Sequence, residues 1–205
     1  MTKRTVRVVK VGGSLFDMAG LPDALRQWIT RQTPAFHILV AGGGAMADCI
    51  RQADQLFHLD AAAAHWMCVD VLAASARLLA ALVPQARFIP AFAELQAELL
   101  HGRESAIVFA VEDFLRNHEA MTPGPALPRD WRVTSDSIAA RLAQALNADE
   151  LVLLKSIGHP SGQSRTSASA AGLVDNYFSV ASQPLRSVRW VNLRDIDGRE
   201  ACLPH

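Results

Sequence analysis

Residues 8–17 read VVKVGGSLFD, and they decide how the rest of the chain is read. An apolar, alternating run predicts a strand over 6–11. Lys10 interrupts its hydrophobicity, and Gly12, Gly13 and Ser14 end it. Two adjacent glycines at a strand end expose bare N–H groups, which converge on an anion as a nest, and a lysine beside them adds charge. Phosphate is the ligand this pattern suits. An ordinary strand-to-helix turn accounts for the same residues, so K-x-G-G-S stands only with support from elsewhere. The Walker A pattern GxxxxGK[ST] is absent.

Outward from this stretch, β-branched runs alternate with helical patterns. Strands are expected at 36–40, 87–90, 107–110, 151–155 and 188–193. Helices are expected at 21–31, 45–56, 61–82, 92–100, 111–118 and 135–146. Such alternation predicts a three-layer α/β/α sandwich with a mostly parallel central sheet, in a single domain over 1–205. Ligands of such sheets bind at the carboxyl ends of the strands. That rule puts Gly12 to Ser14, Gly42 to Gly44, and Lys155, Ser156 and Gly158 along one rim. Residues 121–129, with three prolines and a glycine, read as loop, and the small, polar stretch 156–172 as a mobile segment or lid.

Composition narrows the class. Of 205 residues half are hydrophobic, and twenty basic residues balance twenty acidic ones. A formal net charge of zero gives no broad field for nucleic acid or an anionic membrane, so anion binding is local. Cys49, Cys68 and Cys202 form neither a disulfide framework nor a CxxC motif, which suits a reducing cytoplasm. The basic N-terminus lacks a signal peptide's apolar core. The apolar stretch 61–82 is broken by His65, Asp70, Ser75 and Arg77 and reads as too polar for a bilayer. Its Trp66 reads as core or as part of a homodimer seam.

Three further signals accompany the first. VAGGGAMAD (40–48) satisfies GxGxxA after a strand, yet the acidic residue that a dinucleotide site needs has only Asp60 as candidate, at the start of a helix. Gly42, Gly43 and Gly44 before a helix still make an anion site. In VTSDSIAA (133–140), Thr134 or Ser135 reads as an N-cap. Asp136 then either stabilises the helix dipole or stands between two lysines. In LVLLKSIG (151–158), Lys155 ends an apolar strand and repeats the logic of Lys10, with snorkelling as the plain alternative. His58 and His65 lack a third ligand at metal-like spacing, so no metal site is expected; His65 either faces a substrate or is an ordinary helix histidine. There is no GxSxG.

Four motifs in this order resemble the amino acid kinase superfamily over most of residues 5–160. KVGGSLFD resembles its first glycine loop, VAGGGAMAD its second, and VTSDSIAARLAQALNADELVLLKSIG its aspartate helix and nucleotide-side strand. The resemblance implies an ATP-dependent kinase using Mg²⁺. Lys10 and Lys155 would stabilise the phosphates, and Asp136 would organise both lysines. Gly12, Gly13, Ser14, Ser156 and Gly158 would contact nucleotide phosphate, and Gly42, Gly43, Gly44 and His65 the acceptor. The resemblance further implies a small-molecule phosphoryl acceptor as partner, and a homo-oligomer is expected. SIGHPSGQSRT replaces the family's usual TDVDGVY-like segment, so adenine contacts do not carry over. The LLKS strand and VDNYF (174–178) look most like the kinases of methanofuran synthesis, whose acceptor is 5-(aminomethyl)-3-furanmethanol phosphate; Asp175 would there meet the amine. The rival readings are a catalytically silent oxyanion- or nucleotide-binding protein, a kinase for an N-acyl amino acid, UMP or isopentenyl phosphate, and a nicotinamide-dependent oxidoreductase.

Overall fold

The computed structural model describes residues 4–101, 106–159, 162–195, 197 and 200–205. Its strands are β1 (Val6–Val11), β2 (Phe36–Ala41), β3 (Arg87–Ile89), β4 (Ala106–Phe109), β5 (Glu150–Lys155), β6 (Val188–Asn192) and β7 (Ala201–Cys202). They form one sheet of order β3-β4-β2-β1-β5-β6-β7. All pairings are parallel except β6 with β7. The central strands are buried on both faces, so they read as continuous Val/Leu/Ile runs.

Helices α1 (Leu21–Arg31), α2 (Gly44–Phe57), α3 (Ala61–Leu82), α4 (Phe92–His101), α5 (Ser135–Ala145), α6 (Arg165–Ala170) and α7 (Phe178–Ser182) cover the sheet. Two apolar layers result. Val8, Ile38, Leu151 and Leu153 meet α5, α6 and α7 on one face. Val9, Leu39, Val152 and Leu154 meet Leu21, Leu25 and Trp28 of α1 on the other. This is the α/β/α sandwich expected from the alternation.

Two local expectations are corrected, for 156–172 and for α3. Over 156–172 the chain is no simple lid. Ser164 and Ser167 form a capping box at the start of α6. Arg165 is buried, donating to the carbonyls of Ser182, Leu185 and Leu203; Pro160 and Ser161 lie outside the described residues. Helix α3 is long and apolar enough, by length and composition, to cross a membrane, with mean hydropathy 1.3. In this fold it packs through Val69, Leu72, Ala73, Ala76 and Leu79, so packing rather than polarity defines its setting. Trp66 is only partly buried and lies between two guanidinium groups, Arg116 at 4.5 Å and Arg129 at 5.2 Å.

Candidate active site

Strand parity builds the site. β1 and β5 are parallel neighbours with Lys10 opposite Leu153. Side chains alternate along a strand, and Val8 and Leu153 both lie on the α5 face. Lys10 and Lys155, each two residues further on, therefore emerge on that same face. α5 begins above them. Asp136 sits in its first turn, 4% exposed. Its Oδ1 lies 2.9 Å from the Lys10 ammonium, and Lys155 Nζ donates to Oδ2 at 2.7 Å. Lys10 approaches off the hydrogen-bond direction, leaving Oδ1 with an ion pair but no aligned donor. Lys155 also donates to the Leu173 carbonyl at 2.9 Å and stands 5.1 Å from the Trp190 ring centre.

The charges answer to this geometry. Burial works to raise the Asp136 pKa, but the Coulomb fields of Lys10 and Lys155 outweigh it and hold the carboxyl at about 2. Burial, assisted by repulsion from Lys10, brings Lys155 down to about 8 against the pull of Asp136. Both ionised forms hold at neutral pH, and Lys155 sits close enough to neutrality to respond to an arriving anion. The helix-dipole account of Asp136 is too small for a carboxylate gripped by two buried ammonium groups. Snorkelling likewise fails for Lys155, whose side chain is only 12% exposed.

The glycines carry a packing constraint beside any anion role. The two glycine loops touch backbone to backbone: a Cβ on Gly13 would stand 2.2 Å from Gly44 N, and one on Gly42 would stand 2.6 Å from Gly13 N. Gly44 also has φ +55, which L side chains rarely adopt. Gly12 N–H donates to the Leu154 carbonyl at 2.9 Å, tying the first loop to β5. After Gly12 the chain enters a 3₁₀ turn (Gly13–Asp17), which sequence periodicity misses. Ser14 and Ser156 bridge hydroxyl to hydroxyl at 2.8 Å across the rim, whereas Gly158 lies in open space. No side chain caps the start of α2, so its first-turn donors are left to the cleft.

Beside these loops lies a cavity of about 210 Å³. Gly13, Ser14, Gly43 and Gly44 form one end. Val69, Leu72, Val133 and Ile138 form apolar walls, and Arg51, His65, Cys68 and Trp131 also line it. His65 thus does face this cleft, its ring edge-on to Trp66. Burial, then Arg129, lowers its pKa, which favours the uncharged ring. His58 ends α2 in the left-handed conformation. Asp60 is spent as the N-cap of α3, accepting from Ala63 N–H at 3.0 Å, which removes the acidic residue a dinucleotide fingerprint requires.

Asp175, expected at the substrate's amine, is engaged by donors of the protein itself. It is absent from the cavity lining. Its carboxylate accepts from Thr134 N–H at 2.9 Å and Ser137 N–H at 3.0 Å, from both of their hydroxyls, and from Tyr177 N–H. The cap of α5 is therefore supplied from a distant segment, and Thr134 at the N-cap position donates to it instead of capping.

Sequence reading passed over Arg51, Cys68 and Trp131. Arg51 stacks 4.9 Å from the Trp131 ring centre, and Trp131 Nε1 donates to Asp54. A compositional signal was available too. The chain has seventeen arginines but three lysines, Lys3, Lys10 and Lys155. Where a cation serves a surface or structural pair the chain uses arginine; at one buried carboxylate it uses lysine twice, the compact charge whose pKa shifts readily.

The family model described as "Amino acid kinase family" matches residues 5–159. Among solved structures, UMP kinase from Ureaplasma parvum matches with TM-score 0.64 and 11% identity, covering 98% of this chain and 100% of that one. Uridylate kinase from Archaeoglobus fulgidus matches with TM-score 0.62 and 13% identity, covering 97% and 98%. UMP kinase from Bacillus anthracis matches with TM-score 0.59 and 13% identity, covering 98% of each. At such identities these three show the fold alone. Comparison with curated protein sequences gives no match.

Proposed function

Since the chain belongs to the amino acid kinase family, we propose that it is an ATP-dependent kinase that transfers a γ-phosphoryl group to a small anionic acceptor. One observation carries the reading: Lys10 and Lys155 converge on Asp136 beside two interlocked glycine loops. Phosphoryl transfer needs positioning and neutralisation of charge on the equatorial oxygens more than a base of unusual pKa. Lys10 and Lys155 supply the charge, and Asp136 fixes their spacing. The N–H groups of Gly13 and Ser14 receive nucleotide phosphate, with Ser156 on the same rim; Gly12, expected there too, has its N–H committed to Leu154 and serves by letting the loop turn. The uncapped start of α2 at Gly43 and Gly44 orients the acceptor's anionic group.

The donor set fits a triphosphate tail. It offers no protein cage for a cation: among the described residues no three His, Cys, Asp or Glu side chains cluster for a metal, and Asp136 and Asp175 are both engaged. Mg²⁺ therefore fits as an ion carried on ATP oxygens and water, where it supplies charge neutralisation.

The acceptor to test first is 5-(aminomethyl)-3-furanmethanol phosphate, giving the diphosphate. A short planar ring suits the apolar walls around Trp131, and the phosphate suits the glycine end. With Asp175 committed to α5, the carboxylate on hand for the amine is Asp48, on the cavity wall and paired with Arg51 at 2.6 Å. The test mixes the protein with ATP, Mg²⁺ and, separately, that phosphate, UMP, isopentenyl phosphate and acetylglutamate. ADP release dependent on a single acceptor is expected. Release with none of them, alongside tight nucleotide binding, would favour a silent binding protein.

A further inference from the structure

Resting on the kinase reading, we infer that Asp175 is a positioning residue of the transfer site: a countercharge supplied from the α6–α7 connection that seats the start of α5 and keeps Lys155 an ammonium.

Geometry comes first. Five donors aim at the two Asp175 oxygens, from Thr134, Ser137 and Tyr177. Only the ionised carboxylate accepts them all without giving up a site to its own proton. Thr134 and Ser137 flank Asp136, so the carboxylate that grips the lysines is held by another carboxylate 39 positions along the chain. The same connection reaches Lys155 directly, through the Leu173 carbonyl at 2.9 Å. Ser169 of α6 in turn donates to the Asp175 carbonyl at 2.5 Å, anchoring the bracket.

Charge follows from geometry. Lys155 faces Asp136 from α5, Lys10 from β1, the Trp190 ring from β6, and Asp175 with the Leu173 carbonyl from the connection. Two ammonium groups and two carboxylates balance in a buried cluster. Burial, then the Asp136 charge, raises the Asp175 pKa, while its bonds from Ser137 and Thr134 oppose the rise. Without Asp175 the cluster carries a net positive charge away from water, and the relief open to it is loss of a proton from Lys155, the lysine already displaced toward neutrality.

The three lysines make this measurable. In protein labelled with ¹³C at lysine Cε, three signals titrate, and a Lys155→Arg variant assigns one. Asp175→Asn keeps most of the cap's shape: its carbonyl replaces the oxygen facing the Thr134 and Ser137 N–H groups, its amide donates to the Ser137 hydroxyl, and only the 3.2 Å contact from Tyr177 N–H is given up. We expect its Lys155 acid dissociation constant to rise about three- to tenfold, and the alkaline limb of kcat/KM to move to lower pH by the same factor. A purely structural role would lower kcat without moving either midpoint. Should the Asn variant not fold, Asp175→Glu decides: it keeps the charge and displaces the cap, so Lys155 retains its midpoint while turnover falls. An unmoved Lys155 midpoint in the folded Asn variant, or a dropped one in the Glu variant, overturns the inference. The titration needs no substrate, so a protein with no kinase activity refutes the functional reading separately.

Discussion

Asp136→Asn is the substitution that most sharply tests how the site is held together. The carboxyl sits at about 2 in the fold against an ordinary 3.8. At about 1.4 kcal/mol per factor of ten, that difference is about 2 kcal/mol of net pairing at neutral pH. The sign follows from a depressed acid. This stabilisation is complete above pH 3.8 and is lost as pH falls through about 2. An amide accepts from one lysine and turns its own donors on the other. Lys155, at about 8, then sheds its proton, which limits the damage. The expected loss is about 2–3 kcal/mol, or about 5–10 °C in Tm for a chain of this length. Urea unfolding between pH 7 and 2 provides the assay: wild type loses this increment at the acid end, and the variant never has it. Turnover should fall about 100-fold or more, because both ammonium groups lose their fixed spacing. A variant within about 0.5 kcal/mol of wild type, with normal turnover, would reduce Asp136 to a helix-dipole residue and refute the charge argument.

Other perturbations read the same site. Lys10→Ala should cost about 100-fold or more in turnover with an unchanged circular dichroism spectrum, and near-normal turnover would reject its role. Gly13→Ala pushes a Cβ against the Gly44 backbone and should destabilise by about 1–3 kcal/mol. Gly158→Ala, in open space, should stay within about 0.5 kcal/mol; equal stabilities by urea titration would show the loops to be looser than described. Leu56 and Phe57 on α2 and Met67 and Leu78 on α3 are exposed apolar residues that suit a homodimer seam, and sedimentation finding only monomer would reject it.

Much of this was legible in the chain, for a physical reason: parallel strands buried on both faces and helices with regular apolar spacing are local patterns. Their strand-end positions were legible for Lys10 and Lys155, but that the two share a face follows from parity only once the β1–β5 register is known. The misreadings share a different cause. Asp175 caps α5 across a separation of 41 residues from Thr134, and no local period encodes such a partner. α6 is six residues held by Arg165 against three distant carbonyls, so its own sequence looks like a linker. The glycines are ambiguous in kind, because a bare N–H serves an anion and a missing Cβ serves a neighbouring backbone, with identical letters. Trp131 and Arg51 were visible as residues, but their meeting depends on how α2 leans over the loop before α5.

The meeting of Gly13 with Gly44 has a consequence for how this scaffold can change. A side chain at Gly13, Gly42 or Gly44 would prise the two loops apart, so at these positions the cleft floor keeps one spacing. Novelty in what the molecule accepts must come from its flanks, from the arginine, histidine and tryptophan that overhang the cleft. Libraries aimed at a new acceptor should randomise positions 51, 65 and 131 and leave Gly13, Gly42 and Gly44 alone.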